Sequence, residues 1–362
     1  MLSRSYLSSK LSSLLFLNIN KNILAKLFNC SLGDNLYLPL KANEIINEVK
    51  SENPLEEIPI KFFVEGMYYV IGCDNDFKHS EEYKNLLTIN EWCSKLVKGI
   101  IAAYIKESNY LDGYILLRGL YITSPQVDIF EKMLWCLQCE FKKDKKLGDE
   151  LKNLIEYGKT MKYPYAYLCE SQLLYEDGKY ADAKDSLNLF FSFGGESSEE
   201  ILNFSNELRK LSDLEIGREN IRSNPKYALE LLLPLLEHLE EDAYLYYYIA
   251  VAYRNLGLSP KAIYYLNECM RLDNTIVDVF NELGLNYACL GDYDTAIAYF
   301  RKVFEATRSV ELCTNLIMCY FNKGDIDAAH AHLEIAKKID GDDEILKSIE
   351  KMLRGNITND GD

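Results

Sequence analysis

Residues 277–309 read VDVFNELGLNYACLGDYDTAIAYFRKVFEATRS, and this stretch decides the fold. Phe280, Leu283, Gly284, Tyr287, Ala296 and Phe300 fall at helical spacing on either side of Gly291-Asp292-Tyr293-Asp294, a turn-forming tetrapeptide. The reading is two helices of about 14 residues joined by a short turn, and helices of that length are marginal alone. Each needs an apolar neighbour.

The flanking sequence supplies one on both sides. Residues 243–276 place Tyr246, Ile249-Ala250, Tyr253, Gly257, Ala262 and Leu266 at the same offsets, and residues 310–342 place Cys313, Leu316-Ile317, Tyr320, Gly324, Ala329 and Leu333. Gly257, Gly291 and Gly324 recur at intervals of 34 and 33; Ala228, Ala262, Ala296 and Ala329 recur at 34, 34 and 33. Several residue types returning together at one period mark a repeat array. A small residue such as Gly284 or Ala296 lets two helices approach, and a large one such as Phe280 or Phe300 fills the space beside it. The recurrent glycines supply a left-handed turn conformation.

This pattern resembles the tetratricopeptide repeat family, with Phe280 in the place of the family's Trp. The resemblance implies an all-α fold: a right-handed superhelical solenoid of antiparallel helix pairs, with a concave groove lined by the first helix of each pair. Residues 243–342 are the well-matched repeats. Residues 94–197 are degenerate copies: 164–197 hold Tyr167, Leu174, Gly178, Tyr180, Ala183 and Leu187; 94–127 hold Ile100-Ile101, Tyr104, Gly113, Leu117 and Pro125; 128–163 hold only Leu134-Trp135, Leu147 and Leu151. Residues 198–242 form an irregular, longer unit, with a long first helix over Ser198–Ile221 and a second over Ala228–His238. Asp343–Arg354 reads as a capping helix with Ile345, Leu346, Ile349 and Leu353 on one face, and residues 355–362 as a flexible tail.

Residues 1–93 read as a helical region, either a cap or degenerate repeats, with helices over Asn43–Lys50 and Pro59–Cys73. Residues 1–33 carry Arg4, Lys10, Lys21 and Lys26 and no acid. Such a Ser-rich basic stretch resembles an organellar transit segment. The preferred expectation is an amphipathic helix packed through Leu11, Leu14, Leu15, Leu24 and Leu27. The apolar run Leu14–Leu17 is too short for a signal-peptide core or a membrane span. No alternating pattern stands out, so no strand is expected.

The chain of 362 residues has a formal charge of −16, and the part after residue 33 carries −20. That disfavours nucleic acid and anionic membrane surfaces, both of which are bound by concentrated Lys and Arg. The 10 Cys are scattered. Cys269, Cys289, Cys313 and Cys319 sit inside apolar helical patterns, which reads as buried free thiols in a reducing, cytoplasmic setting. The triplets at Asn29, Asn203 and Asn356 therefore carry no weight as glycosylation sites.

Catalytic chemistry finds little support. The histidines are His79, His238, His330 and His332. His330 and His332 are two apart and point to different faces of a helix, whereas paired metal ligands prefer three or four. Cys136-Leu137-Gln138-Cys139 lacks the second pair of a zinc site. Phosphate-loop, dinucleotide and serine-hydrolase motifs are absent from the sequence. The expectation is no catalytic residue, no metal, no cofactor and no enzyme activity.

Binding is the expected role. The resemblance assigns the groove to Tyr244, Tyr247, Val251, Arg254 and Asn255 in one unit. The next contributes Asp278, Asn281, Leu285 and Ala288, and the last Glu311, Thr314, Met318 and Asn322. Tyr165, Gln172 and Tyr175 are the equivalents upstream. Rings cover apolar groups, and Asn can bond an extended backbone in both directions. The competing reading is ordinary solvated surface in a chain with 27 Tyr. Lys95, Lys98, Lys106 and Lys132 would make the start of the groove basic and favour a partner with an acidic end. The Lys-Asn-Arg clamp that some family members use for carboxylate tails is not matched: the corresponding positions hold Tyr247, Val251, Glu282, Glu311 and Asn315. The expected function is a scaffold or adaptor for a protein or peptide. The alternatives are a peptide-responsive regulator and an accessory subunit of an enzyme complex. Self-association stays open.

Overall fold

The computed structural model describes residues 3–29, 35–42 and 58–357. The chain divides into two compact units, Met1–Leu202 and Asn203–Asp362.

In the first unit the interior element is a helix of 14 residues, Ile60–Cys73, which follows α1 (Ser3–Ser9) and α2 (Lys21–Phe28) and is called α3. Lys61 and Glu65 are its only charged residues. It is buried without a break from Phe62 to Cys73, as a helix apolar on all sides must be. Around it come α4 (Ser80–Ile89), α5 (Glu91–Lys106) and α6 (Tyr110–Thr123), with α6 packed most extensively along it. Helix pairs follow: α7 (Val127–Lys143) with α8 (Gly148–Thr160), then α9 (Pro164–Glu176) with α10 (Tyr180–Ser192).

The N-terminal stretch departs from the expected amphipathic helix. Helix α1 tightens into a 3-10 turn at Lys10–Ser13, then gives way to a strand, β1, over Leu14–Ile19. β1 pairs antiparallel with β2, Leu36–Lys41, in the register Leu14↔Lys41 to Ile19↔Leu36. Two causes are visible. The hydroxyls of Ser9, Ser12 and Ser13 donate to the carbonyls of Tyr6, Ser9 and Lys10, which competes with helical bonding. The run Leu14–Leu17 then pairs with a second apolar run, Leu36–Leu40, that lies too far along the chain for local periodicity to report. β2 lies on α3, with Leu38 and Leu40 buried. The molecule remains mostly helical, and the expectation of no strand is corrected at this hairpin. The expected helix over Asn43–Lys50 lies outside the described residues.

The second unit is built on helix α11, Glu199–Asn220, whose first turn spans the boundary and whose Glu199 and Glu200 suit a helix N-terminus. The next helix, α12, runs over Pro225–Leu232 and not to His238, because Pro234 turns the chain into a 3-10 segment, Leu233–Glu237. Then come α13 (Ala243–Asn255) with α14 (Ser259–Leu272), α15 (Val277–Cys289) with α16 (Tyr293–Thr307), and α17 (Val310–Lys323) with α18 (Ile326–Ile339). Gly291 and Gly324 take φ of 78° and 87°, and the Asp after each caps the next helix. Gly284 packs on the ring of Phe300, where a methyl group would lie 2.6 Å from the nearest ring atom. Phe280, Phe300, Leu316, Ala329 and Leu333 share one core with Leu346, Ile349 and Leu353 of the last helix, α19, Glu344–Ile357. That helix covers the flank the final pair would otherwise expose.

Candidate functional site

The first helices of the three successive pairs in the second unit lie side by side, α13 against α15 and α15 against α17. Tyr244 stands 51% exposed at the start of α13. Its ring lies 6.2 Å from that of Tyr248, which in turn lies 5.8 Å from Tyr247. Tyr248 was not among the expected residues. It joins the group because the chain carries five aromatic or aliphatic residues in succession here, Tyr244–Tyr248, and only Leu245 of them is buried.

Polar groups of α15 complete the face. Arg254 Nε donates to Glu282 Oε2 at 2.5 Å, and its second nitrogen lies 3.4 Å from Oε1. Arg254 is thus held by its own fold. Glu282 is only 7% exposed, and burial pushes its carboxyl above the usual range against the opposing pull of Arg254 and Arg222. The Tyr247 hydroxyl is raised too, by burial first and then by the negative fields of Glu282 and Asp278. The Arg254–Glu282 contact joins α13 to α15 one helical turn past Asp278 and two turns past Tyr247. Asn281 brings a buried Oδ1 with no hydrogen-bond partner, and Asp278 is exposed.

Other expected residues are spoken for or sit elsewhere. The Asn255 amide donates to the Ile221 carbonyl at 2.8 Å, tying α13 to the end of α11. Val251 and Thr314 are buried, and Thr314 bonds the Glu311 carbonyl. Leu285, Ala288 and Met318 are half-buried against the core, while Glu311 and Asn322 are exposed on α17. In the first unit Tyr165 is exposed with its edge on Phe190, Tyr175 packs on Tyr180, and Gln172 accepts from Gln138 at 2.6 Å between α9 and α7. Lys95, Lys98 and Lys106 are exposed on α5, and Lys132 lies 3.7 Å from Asp128 of its own helix.

A polar cluster in the first unit had no forewarning in the repeat pattern. Lys41 Nζ, at the end of β2, lies 3.1 Å from both Glu65 and Asp112 and 4.4 Å from the ring centres of Tyr69 and Tyr104. Tyr69 donates to Asp112 at 2.8 Å and Tyr104 to Glu65 at 2.7 Å. The signal that could have found it is Glu65, an acid inside an otherwise apolar helix. Its groups satisfy one another, so the arrangement pins the hairpin to α3 and α6.

The most deeply buried thiols are shielded from reaction in this setting. Burial pushes Cys136, Cys169 and Cys93 up to about 12. Cys289 is exposed, a correction to its expected burial: it ends α15 beside the turn, past the last core position. His332 packs on Tyr320 with ring centres 4.9 Å apart. Among the described residues no three His, Cys, Asp or Glu side chains converge as a metal site requires, and no helix is long and apolar enough to cross a membrane.

Residues 290–353 match the model of the family described as Tetratricopeptide repeat. No curated protein matches the chain. Solved structures similar to part of it include MamA, at 19% identity over 48% of this chain and 90% of that one, with a TM-score of 0.38. Another is YrrB, titled a TPR protein with an unusual peptide-binding site, at 18% identity over 55% and 97%, TM-score 0.40. A third is a thermophilic TPR protein of Thermus thermophilus, at 19% identity over 52% and 98%, TM-score 0.35.

Proposed function

We propose that this chain, whose residues 290–353 are tetratricopeptide repeat sequence, is a non-catalytic, cytoplasmic scaffold that holds an extended segment of another protein along α13, α15 and α17. The observation that carries this reading is the exposed ring of Tyr244, joined to the half-buried rings of Tyr248 and Tyr247 on α13, with Asn281 on the neighbouring helix α15. Exposed rings are the side chains that most often dominate interface energy. Asn281 is half-buried and its amide oxygen has no hydrogen-bond partner among the described residues, so a rotamer turned to the surface would accept an incoming backbone N–H. The chain's own polar groups do not fill it, as they fill the Lys41 cluster. A carboxylate-tail clamp is not the mode, because Glu282 and Glu311 stand at positions that mode needs to be neutral or basic.

The test is affinity capture from the source lysate with wild type and a Tyr244→Ala, Tyr247→Ala, Asn281→Ala variant. A partner lost from the variant, with helicity by circular dichroism unchanged, supports this site. A partner retained by both moves the site to another face.

A further inference from the structure

The charges on α13, α15 and α17 do not cancel. These helices carry the bases Arg254 and Lys323 and the acids Asp278, Glu282 and Glu311. Arg254 is taken by Glu282, and Lys323 by Asp294 of α16. Asp278 and Glu311 remain, both exposed and neither in an ion pair among the described residues. Two bases outside these helices approach α15: Arg222, exposed in the turn after α11, whose field falls on Glu282, and Lys302, which sits over the Phe280 ring at 4.0 Å. Asp278 lies one helical turn before Glu282 on α15 and Tyr247 two turns before Arg254 on α13, so the Arg254–Glu282 contact sets both on the facing sides of these two helices. The Asn281 oxygen, an acceptor, lies one helical turn along from Asp278 on the same helix.

A carboxylate, a lone amide oxygen and the faces of aromatic rings share one preference. All three attract a cation that carries N–H donors, and ring faces bind it through their quadrupole. An acidic segment would meet repulsion from Asp278 and Glu311 and find no free donor cation on these helices. We infer that the α13–α15 face seats a lysine or arginine side chain of the extended partner segment, with its charge against Asp278 and its stem along Tyr244 and Tyr247. This rests on the groove reading above and names the chemistry of its occupant. A long basic side chain suits such a place, because its methylene stem covers apolar surface while its head stays polar.

The probes are three fluorescent, degenerate nonapeptide pools, one with Lys or Arg at alternate positions, one with Asp or Glu there, and one neutral, read by anisotropy on the full chain. The expected result is tightest binding of the basic pool, weakened about tenfold by Asp278→Asn and abolished by Tyr247→Ala, which is the scale of a partly desolvated cation–ring and ion contact. Asp327→Asn, an exposed acid on α18, serves as the control and should leave that affinity unchanged. Equal losses from Asp278→Asn and Asp327→Asn would mean only general attraction to an acidic chain and would overturn the inference. Preference for the neutral or acidic pool, still lost with Tyr247→Ala, would overturn the charge assignment and leave the groove standing. Indifference of every pool to Tyr247→Ala would remove both.

Discussion

Lys41 at the end of β2 and Glu65 in the middle of α3 meet at 3.1 Å, and Glu65 is only 4% exposed. The pair ties a hairpin to the most apolar helix of the first unit. Removing one partner of a buried pair strands the other charge, which typically costs about 3–5 kcal/mol. Lys41→Met should therefore destabilise the first unit by roughly that amount. Lys41→Met with Glu65→Gln should recover part of the loss, because the more deeply buried acid is gone and Asp112, the other partner of Lys41, keeps its hydrogen bonds from Tyr69 and Asn109. Trp92 and Trp135, the only two tryptophans, both lie in this unit, so urea unfolding followed by tryptophan fluorescence reads it directly. An unchanged midpoint for Lys41→Met would show that the pair is dispensable.

Gly284 and Phe300 make the opposite kind of contact, one with no room to spare. A Gly284→Ala methyl would lie 2.6 Å from the ring, and overpacking of that kind costs about 1–3 kcal/mol. Far-UV circular dichroism should show an earlier transition for the second unit while tryptophan fluorescence is unmoved. Phe300→Leu added to Gly284→Ala should relieve the crowding, so that the double variant loses less than the two single changes together.

Glu282 gives the pH dependence its sign. Burial raises its carboxyl above the usual 4.5, and the pull of Arg254 does not fully offset this. Between the unfolded and the folded value, the folded state holds the proton more often, so stability falls as pH rises through that window. Measured against a Glu282→Gln variant across the same pH series, wild type should therefore lose ground on going upward from about pH 4.5. A wild type that gains on the variant over that window would mean that Arg254 outweighs burial.

Cysteine labelling separates exposed from core positions. Cys289 is exposed and should react with a thiol reagent in the native state within the first minutes. Cys269 and Cys319 are buried, with thiols pushed up to about 11, and should label only when the second unit unfolds. Peptide mapping by mass spectrometry checks this, and early modification of Cys269 would contradict the packing of α14.

Much of this architecture could be read from residues alone, and the limits have physical causes. The turn at Gly291-Asp292, the pairing of Gly284 with Phe300 and the capping helix at Leu346–Leu353 are local or near-periodic features, and a repeat displays them several times over. The strand at Leu14–Ile19 is not local. It exists because Leu36–Lys41 pairs with it and α3 supports β2, and periodicity within residues 1–29 cannot report that. The apolar period continues past Pro234 through Leu235 and Leu236, so periodicity alone extends the helix that the proline ends. In the candidate site, Tyr244, Tyr247 and Asn281 were named by the family resemblance. Their mates were not: whether Arg254 is free or held by Glu282 depends on how α13 and α15 meet, and the Asn255 bond to Ile221 depends on where α11 ends.

The most direct measurement is site-specific photo-crosslinking to the captured partner. A benzophenone amino acid would replace Tyr244 on α13 in one version and Tyr264 in another; Tyr264 is 59% exposed on the second helix of the same pair. The expected result is a crosslink from position 244 and none from 264. A crosslink from 264 with none from 244 would place the partner on the outer helices and contradict the assignment of the site to α13, α15 and α17.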